Sequence, residues 1–319
     1  MRTRKLGKTP LDVPVITLGG NVFGWTVSES ESPRLLDAAL DAGLNFIDTA
    51  DLYSRWVPGH TGGESETIIG KWLHASGKRD RVIVATKVGM DMGDGKVGLS
   101  PAYIGRAVEG SLRRLQTDRI DLYQSHQDDA QTPLEETLRT YERLIQQGKV
   151  RYIGASNYKG GRLREAMETS RQHHLPSYQS LQPHYNLVER DPYETDLAPV
   201  VAEYGLGVLP YFSLASGFLT GKYRSAADLK DRARGGMVGK YLNERGLAVL
   251  AALDEVAGEH HSNPARVALA WLIAQPGITS AIASATRVEH LADLAGAADL
   301  TLDAESIEKL DRASAPVAV

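Results

Sequence analysis

Short apolar runs rich in β-branched residues recur eight times along this chain, each followed by a longer amphipathic stretch. The runs are Val15–Leu18, Phe46–Asp48, Val82–Thr86, Ile120–Gln124, Val150–Gly154, Tyr178–Leu181, Gly207–Leu209 and Ser280–Ala283. Strand-length runs alternating with helix-length faces are the mark of βα units and a parallel sheet. Ile104, Val108, Leu112 and Leu115 fall on one helical stripe, and so do Leu134, Leu138, Tyr141 and Ile145. A capping-type side chain precedes proline in Ser32-Pro33, Ser100-Pro101, Thr132-Pro133, Asp191-Pro192 and Asn263-Pro264. These pairs predict five helix starts, and Thr132 with Glu135 predicts a capping box.

The 319 residues divide into two domains of about 150 each, yet barrels run to 250 or more as one unit. Eight units without a composition break favour a single-domain α/β structure, the (β/α)8 TIM barrel, over a doubly wound open sheet. Three segments are surplus to the eight units. Residues 1–14 read as an N-terminal hairpin that plugs the barrel floor. Residues 212–240 read as a long loop carrying Gly and Arg, and a connection of that length is usually functional. Tyr241–His260 and the tail from Asp303 read as extra helices.

Composition narrows the functional classes. The formal charge is −4, with no basic stripe, which argues against a nucleic-acid partner. No apolar run approaches eighteen residues, so no membrane span is expected. Arg2, Arg4, Lys5 and Lys8 are followed by Leu11-Asp12-Val13-Pro14 rather than an apolar signal core, and a cytoplasmic protein is the expectation. The chain has no cysteine, which excludes disulfides, thiolate zinc sites, iron–sulfur clusters and cysteine nucleophiles.

Several motifs fail on context. Gly93-Asp94-Gly95-Lys96-Val97-Gly98 matches G-x-G-x-x-G, but it lies beyond the end of its strand and just before Ser100-Pro101, so it reads as a surface loop. Gly217–Lys222 and Gly235–Lys240 end in Gly-Lys without P-loop spacing. His173-His174 and His260-His261 fall at helix ends, where solvated histidine is ordinary.

In a barrel of this kind the chemistry gathers where strands end. Those positions hold Asp48 with Tyr53 five residues on, then Lys87, His126, Ser156 with Asn157, Gln182 and Tyr211. Adjacent strands lie about 4.8 Å apart, so the acid, phenol, amine and imidazole of three neighbouring strands can converge. A lysine ammonium beside a phenol is expected to lower its pKa, and a carboxylate to keep the buried lysine charged. An imidazole N–H can grip a substrate oxygen. Together they move a proton to or from a carbonyl or alcohol oxygen, so the other bond change needs a partner such as a hydride. One alternative leaves Asp48–Lys87 as a structural ion pair. Another makes Lys87 the Schiff-base amine of a lyase or aldolase.

Motifs along nearly the whole chain resemble the aldo-keto reductase superfamily, in the style of its bacterial branch that includes potassium-channel-β-subunit-like members. They are Asn45-Phe46-Ile47-Asp48-Thr49-Ala50 with Tyr53, Ala85-Thr86-Lys87-Val88-Gly89, Asp121-Leu122-Tyr123-Gln124-Ser125-His126, and Gly154-Ala155-Ser156-Asn157. Gln182…Tyr185-Asn186-Leu187 and Leu214…Gly217…Leu219-Thr220-Gly221-Lys222-Tyr223 complete the set.

The resemblance implies an NADP(H)-dependent reductase or alcohol dehydrogenase, with NAD(H) less favoured, that interconverts an aldehyde or ketone and its alcohol. Tyr53 would be the general acid/base, Lys87 and Asp48 its tuners, and His126 the oxygen-orienting donor. Ser156, Asn157 and Gln182 match the nicotinamide carboxamide ligands, and Tyr211 matches the stacking aromatic. Ser213, Leu214, Gly217 and Lys222 match the segment over the pyrophosphate, and Ser284, Thr286 and Arg287 the 2′-phosphate pocket. Where the family commonly has Gln-Leu-x-x-Asn on the adenine side, this chain has His290 and Leu294. The loop after Tyr53 is longer than usual, and Trp56, with Phe23 and Trp25 after the first run, is expected to wall the substrate pocket. The same resemblance admits an NADPH-binding redox sensor with little turnover.

Overall fold

Each amphipathic helix carries the chain back across the sheet and sets the next strand beside the last, so strand order follows chain order. The computed structural model describes residues 1–230 and 232–316; Asp231, within the 212–240 segment, and residues 317–319 lie outside them. A hairpin comes first, with β1 (Thr3–Lys5) antiparallel to β2 (Asp12–Pro14). Eight parallel strands follow: β3 (Ile16–Gly19), β4 (Phe46–Asp48), β5 (Ile83–Val88), β6 (Ile120–Ser125), β7 (Val150–Ser156), β8 (Ser180–Gln182), β9 (Gly207–Val208) and β10 (Ala281–Ala283). The sheet order is β10-β3-β4-β5-β6-β7-β8-β9. Its two edges meet where Thr279 N–H donates to Val208 O (2.9 Å) and Ile282 N–H to Pro210 O (2.9 Å), giving the (β/α)8 barrel.

Helices α1 (Ser32–Asp41), α2 (Glu64–Ser76), α3 (Pro101–Leu115), α4 (Leu134–Gln146) and α5 (Gly160–His173) connect the strands through β8. They are followed by α6 (Ala198–Tyr204), α7 (Gly235–Val238), α8 (Glu244–Glu259), α9 (Pro264–Ala274), α10 (Val288–Asp299) and α11 (Ala304–Ser314). Among the described residues no helix is long and apolar enough to cross a membrane. The hairpin plugs the barrel: Leu6, Leu11 and Val13 pack with Phe46, Ala85, Leu122, Leu209 and Ile282 inside it. Each of the larger of these side chains contributes roughly 1.5–3 kcal/mol when fully buried. Gly7 makes the turn with φ +55°, and a Cβ there would stand 2.1 Å from Gln179 O, so only glycine lets the hairpin seat.

Three local expectations are corrected. Three strands in the middle of the sheet, β5, β6 and β7, continue past the ends of their apolar runs, because polar residues extend the ladder, so Lys87 and Ser156 lie inside β5 and β7. By contrast, β8, β9 and β10 are shorter than their runs. Ser100 and Asn263 do cap, accepting from Tyr103 N–H (3.4 Å) and Arg266 N–H (3.0 Å). Ser32, by contrast, lies inside α1 and donates to Ser28 O. Thr132 donates to Asp129 Oδ2 (2.7 Å), a carboxylate that also collects Leu99 N–H, and Pro133 precedes α4 without a capping box. Asp191 precedes a π-helical turn, Pro192–Leu197, and does not cap it with its side chain. The 212–240 segment is no open loop but a string of short turns with α7.

Candidate active site

Side chains alternate across a strand, so the inward residue at each strand end points into the barrel mouth. Asp48 ends β4 and Lys87 lies one strand over, their side chains 1% and 0% exposed. Lys87 Nζ donates to Asp48 Oδ2 (2.6 Å), Thr49 O (2.8 Å) and Tyr53 Oη (2.8 Å), which uses all three ammonium hydrogens. Tyr53 reaches that point because the chain turns after Asp48, with Tyr53 N–H on Ala50 O. The next residue, Ser54, has φ 74°, and its Oγ is pinned to Phe23 O (2.7 Å). His126 directly follows β6, its ring centre 6.1 Å from that of Tyr53.

Burial, then the nearby Asp48 carboxylate, pushes the Tyr53 phenol well above its ordinary value of 10.0. The net direction is opposite to the lowering expected beside Lys87, because burial and the Asp48 carboxylate, which accepts from the phenol, both disfavour the phenolate. Burial also draws the Lys87 ammonium down, against the opposing pull of Asp48. His126 is driven well below 6.5 by burial and by Lys87, so its imidazole is neutral near pH 7 and has one N–H to give.

A cavity of about 550 Å³ opens over this floor, and Tyr53 and His126 line one end of it. Its next wall is a hydrogen-bonded chain. Tyr211 Oη donates to Asn157 Oδ1 (2.8 Å), Asn157 Nδ2 to His126 O (2.9 Å), and Ser156 Oγ to Gln182 O (2.9 Å). Ser213, Leu214, Gly217 and Lys222 line the cavity further along, and Ser284, Thr286 and His290 stand at its far end. Ser213 Oγ donates to Pro210 O (3.1 Å), and Ser284 Oγ to Asn21 Oδ1 (2.7 Å). Neither Ser284 nor Thr286 caps α10, whose N-cap is Arg287.

The far half of the cavity suits an elongated polyanion. Lys222 is held below its usual pKa by burial and by Arg234, Arg232 and Arg287. Among the described residues, Arg234 Nη2 is buried without a partner, and no carboxylate pairs with Lys222, Arg234 or Arg287. Cations gathered this way are expected beside phosphate groups. Gly217, at φ +98°, lies so close to Lys222 that a Cβ would meet its Nζ at 3.2 Å. A phosphate-bearing dinucleotide fits these residues.

The family model described as the aldo/keto reductase family matches residues 15–315. The chain belongs to that family. It is similar to the uncharacterized oxidoreductase YrpG of Bacillus subtilis (strain 168), with 38% identity over 96% of this chain and 94% of the relative. It is 32% identical to a probable voltage-gated potassium channel subunit beta of Oryza sativa subsp. japonica, over 98% of this chain and 96% of that one. The L-glyceraldehyde 3-phosphate reductase of Escherichia coli (strain K12) is 31% identical over 98% of this chain and 92% of its own.

In this aldo/keto reductase the expected residues are not all drawn together. Phe23 is fully buried in the core and only its carbonyl serves the site, through Ser54. Its ring joins the main hydrophobic core together with Val22 and Val27, the apolar residues that anchor this turn. Trp25 lines a separate groove, edge-on to Trp56 (5.6 Å) and beneath the Arg234 guanidinium (5.1 Å). Trp56 does line the cavity, 46% exposed. Arg287 stands outside the lining and donates to His290 Nε2 (3.1 Å). Sequence reasoning missed Met90, Phe212 and Arg234 in the lining, and Gln124 beneath it. Only Gln124 carried a signal, lying two residues before His126 and so on the same strand face.

Proposed function

We propose that this chain is an NADP(H)-dependent oxidoreductase that interconverts an aldehyde or ketone with its alcohol, acting as one barrel domain whose 212–240 segment covers the cofactor. The observation that carries the reading is the buried contact of Lys87 Nζ with Tyr53 Oη (2.8 Å) and Asp48 Oδ2 (2.6 Å), beside His126 at the cavity floor. The bound dinucleotide would supply the hydride. Ser156, Asn157 and Gln182 would hold its carboxamide, Tyr211 would stack on its ring, and Ser213, Leu214, Gly217 and Lys222 would hold its pyrophosphate. Ser284, Thr286 and Arg287 would hold the 2′-phosphate, with His290 beside them.

The chain's own residues do the proton chemistry. His126 aims a neutral N–H at the substrate oxygen and fixes its direction. Tyr53 keeps its proton at neutral pH, so it enters a reduction as the acid and gives that proton to the same oxygen. Lys87 Nζ, at 2.8 Å, stabilises the phenolate as it forms and can return a proton to it. Asp48 and Thr49 O hold Lys87 in place. In the oxidising direction the same steps run backwards, with Tyr53 as base.

Tyr53→Phe should cut kcat by a factor of about 10² or more while NADPH still binds, since general acid catalysis is worth roughly 10²–10⁴. A variant with near-normal kcat removes Tyr53 from the role. The channel-subunit names among the relatives favour a second reading, a redox-sensing regulatory protein, and tight NADPH binding with no turnover on any carbonyl or alcohol selects it.

A further inference from the structure

The Asp48 carboxylate is gripped at both oxygens by different kinds of donor. Oδ2 accepts from the Lys87 ammonium and, at 3.3 Å, from the Tyr53 hydroxyl. Oδ1 takes two neutral amides, Gln182 Nε2 at 2.8 Å and Gln124 Nε2 at 3.1 Å. Gln182 Nε2 also lies 3.3 Å from Gln124 Oε1. A carboxylate only accepts, so both amide nitrogens must face Asp48. Both N–H groups of Gln182 are then spent, and its carbonyl is the end left to meet a ligand.

The fold makes this arrangement possible at one place. Gln124 on β6 is the register partner of Lys87 on β5, and on its other side it pairs with Gly154 on β7. Gly154 has no side chain, and a Cβ there would stand 3.1 Å from Gln124 Cγ. Gln124 therefore reaches across β7 to Gln182 on β8. Asp48, Lys87, Gln124 and Gln182 are all buried.

We infer that Gln124 is a positioning residue that ties the Asp48 carboxylate to Gln182, so that the proton-transfer floor and the carboxamide-binding wall form one hydrogen-bonded unit. The inference rests on the proposed nicotinamide chemistry. Without Gln124, Gln182 keeps its bond to Asp48 Oδ1 but loses the acceptor for its second N–H, so its amide is held at one point instead of two and its carbonyl is no longer firmly aimed. The charged and titratable groups facing this point are Asp48 on β4, Tyr53 on the turn after it, Lys87 on β5 and His126 at the end of β6.

The test compares wild type with Gln124→Leu, Gln124→Met and Gln124→Glu, all checked for wild-type-like thermal unfolding. Tryptophan fluorescence follows titration with NADPH and with reduced 3-acetylpyridine adenine dinucleotide phosphate, whose acetyl group has no N–H to give to Gln182. Losing one oriented hydrogen bond should weaken NADPH by about fivefold in the Leu and Met variants and leave the acetyl analogue within about twofold of wild type. In Gln124→Glu the introduced carboxyl can donate to Asp48 only while protonated, so kcat should approach wild type at the acid end of the pH profile and fall as pH rises. Leu and Met variants that bind both dinucleotides as wild type does, or lose both equally, overturn the inference. So does a Gln124→Glu profile parallel to wild type. A wild-type chain that binds NADPH without turnover sinks the activity reading instead, and leaves the dinucleotide comparison to decide Gln124. One that binds no NADPH ends both.

Discussion

Lys87 Nζ and Asp48 Oδ2 meet at 2.6 Å with their side chains 0% and 1% exposed. Removing one partner of such a pair leaves an uncompensated buried charge, at a cost of about 3–5 kcal/mol. Lys87→Met should lose that much stability in urea denaturation, and Asp48→Asn added to it should recover most of the loss. A double variant as unstable as the sum of its singles contradicts a paired role. Neither variant should turn over substrate.

Asp51, two residues before Tyr53, is 3% exposed, and its Oδ1 is buried with no partner among the described residues. Burial and the neighbouring Glu66 push its carboxyl up to about 8. An unfolded aspartate titrates near 3.9, so between about pH 4 and 8 the folded chain binds a proton that the unfolded chain releases. Stability should therefore fall as pH rises through that window. Asp51→Asn carries no titration, so at pH 7–8 it should be more stable than wild type by at least about 1 kcal/mol, with the advantage gone near pH 4. Parallel stability–pH curves would refute the assignment.

Arg287 stands outside the cavity lining, close enough to lower the Lys222 pKa, and donates to His290 Nε2. Arg287→Ala should raise the Kd for NADPH by about tenfold or more and change that for NADH by less than about threefold, as expected for a charge-assisted bond to phosphate. Equal weakening of both cofactors removes the 2′-phosphate role. The NADPH preference should also shrink as salt is raised.

Phe23 and Trp56 separate core from pocket. Phe23→Ala empties a fully buried site and should cost about 3–5 kcal/mol in unfolding. Trp56→Ala, at a side chain 46% exposed, should change stability by about 0.5 kcal/mol or less and move KM for bulky carbonyls instead. A stability loss at Trp56 matching that at Phe23 would show that the longer loop after Tyr53 is structural.

The strand runs and helical stripes made the barrel legible, because burial on a repeating βα unit leaves its period in the residues themselves. The four buried polar groups at the cavity floor were legible for the same reason: strand ends can be counted, and Asp48, Lys87 and His126 stand on three neighbouring ones. The capping pairs were less legible. Thr132 had the right type and spacing, yet the competing acceptor, Asp129, is chosen by how the turn folds.

What the linear chain by itself determined is therefore the scaffold and the chemical types delivered to its mouth. Only the tertiary structure decided the direction of the Tyr53 shift, since that follows from desolvation and from the Asp48 carboxylate beside the phenol. It also decided that Phe23 turns inward while Trp56 faces the cavity, which neighbouring loop aromatics cannot reveal by composition. The reach of Gln124 over Gly154 to Gln182 belongs to the same class. It joins residues 58 apart in the chain through three adjacent strands, and contacts of that kind depend on register rather than on any local pattern.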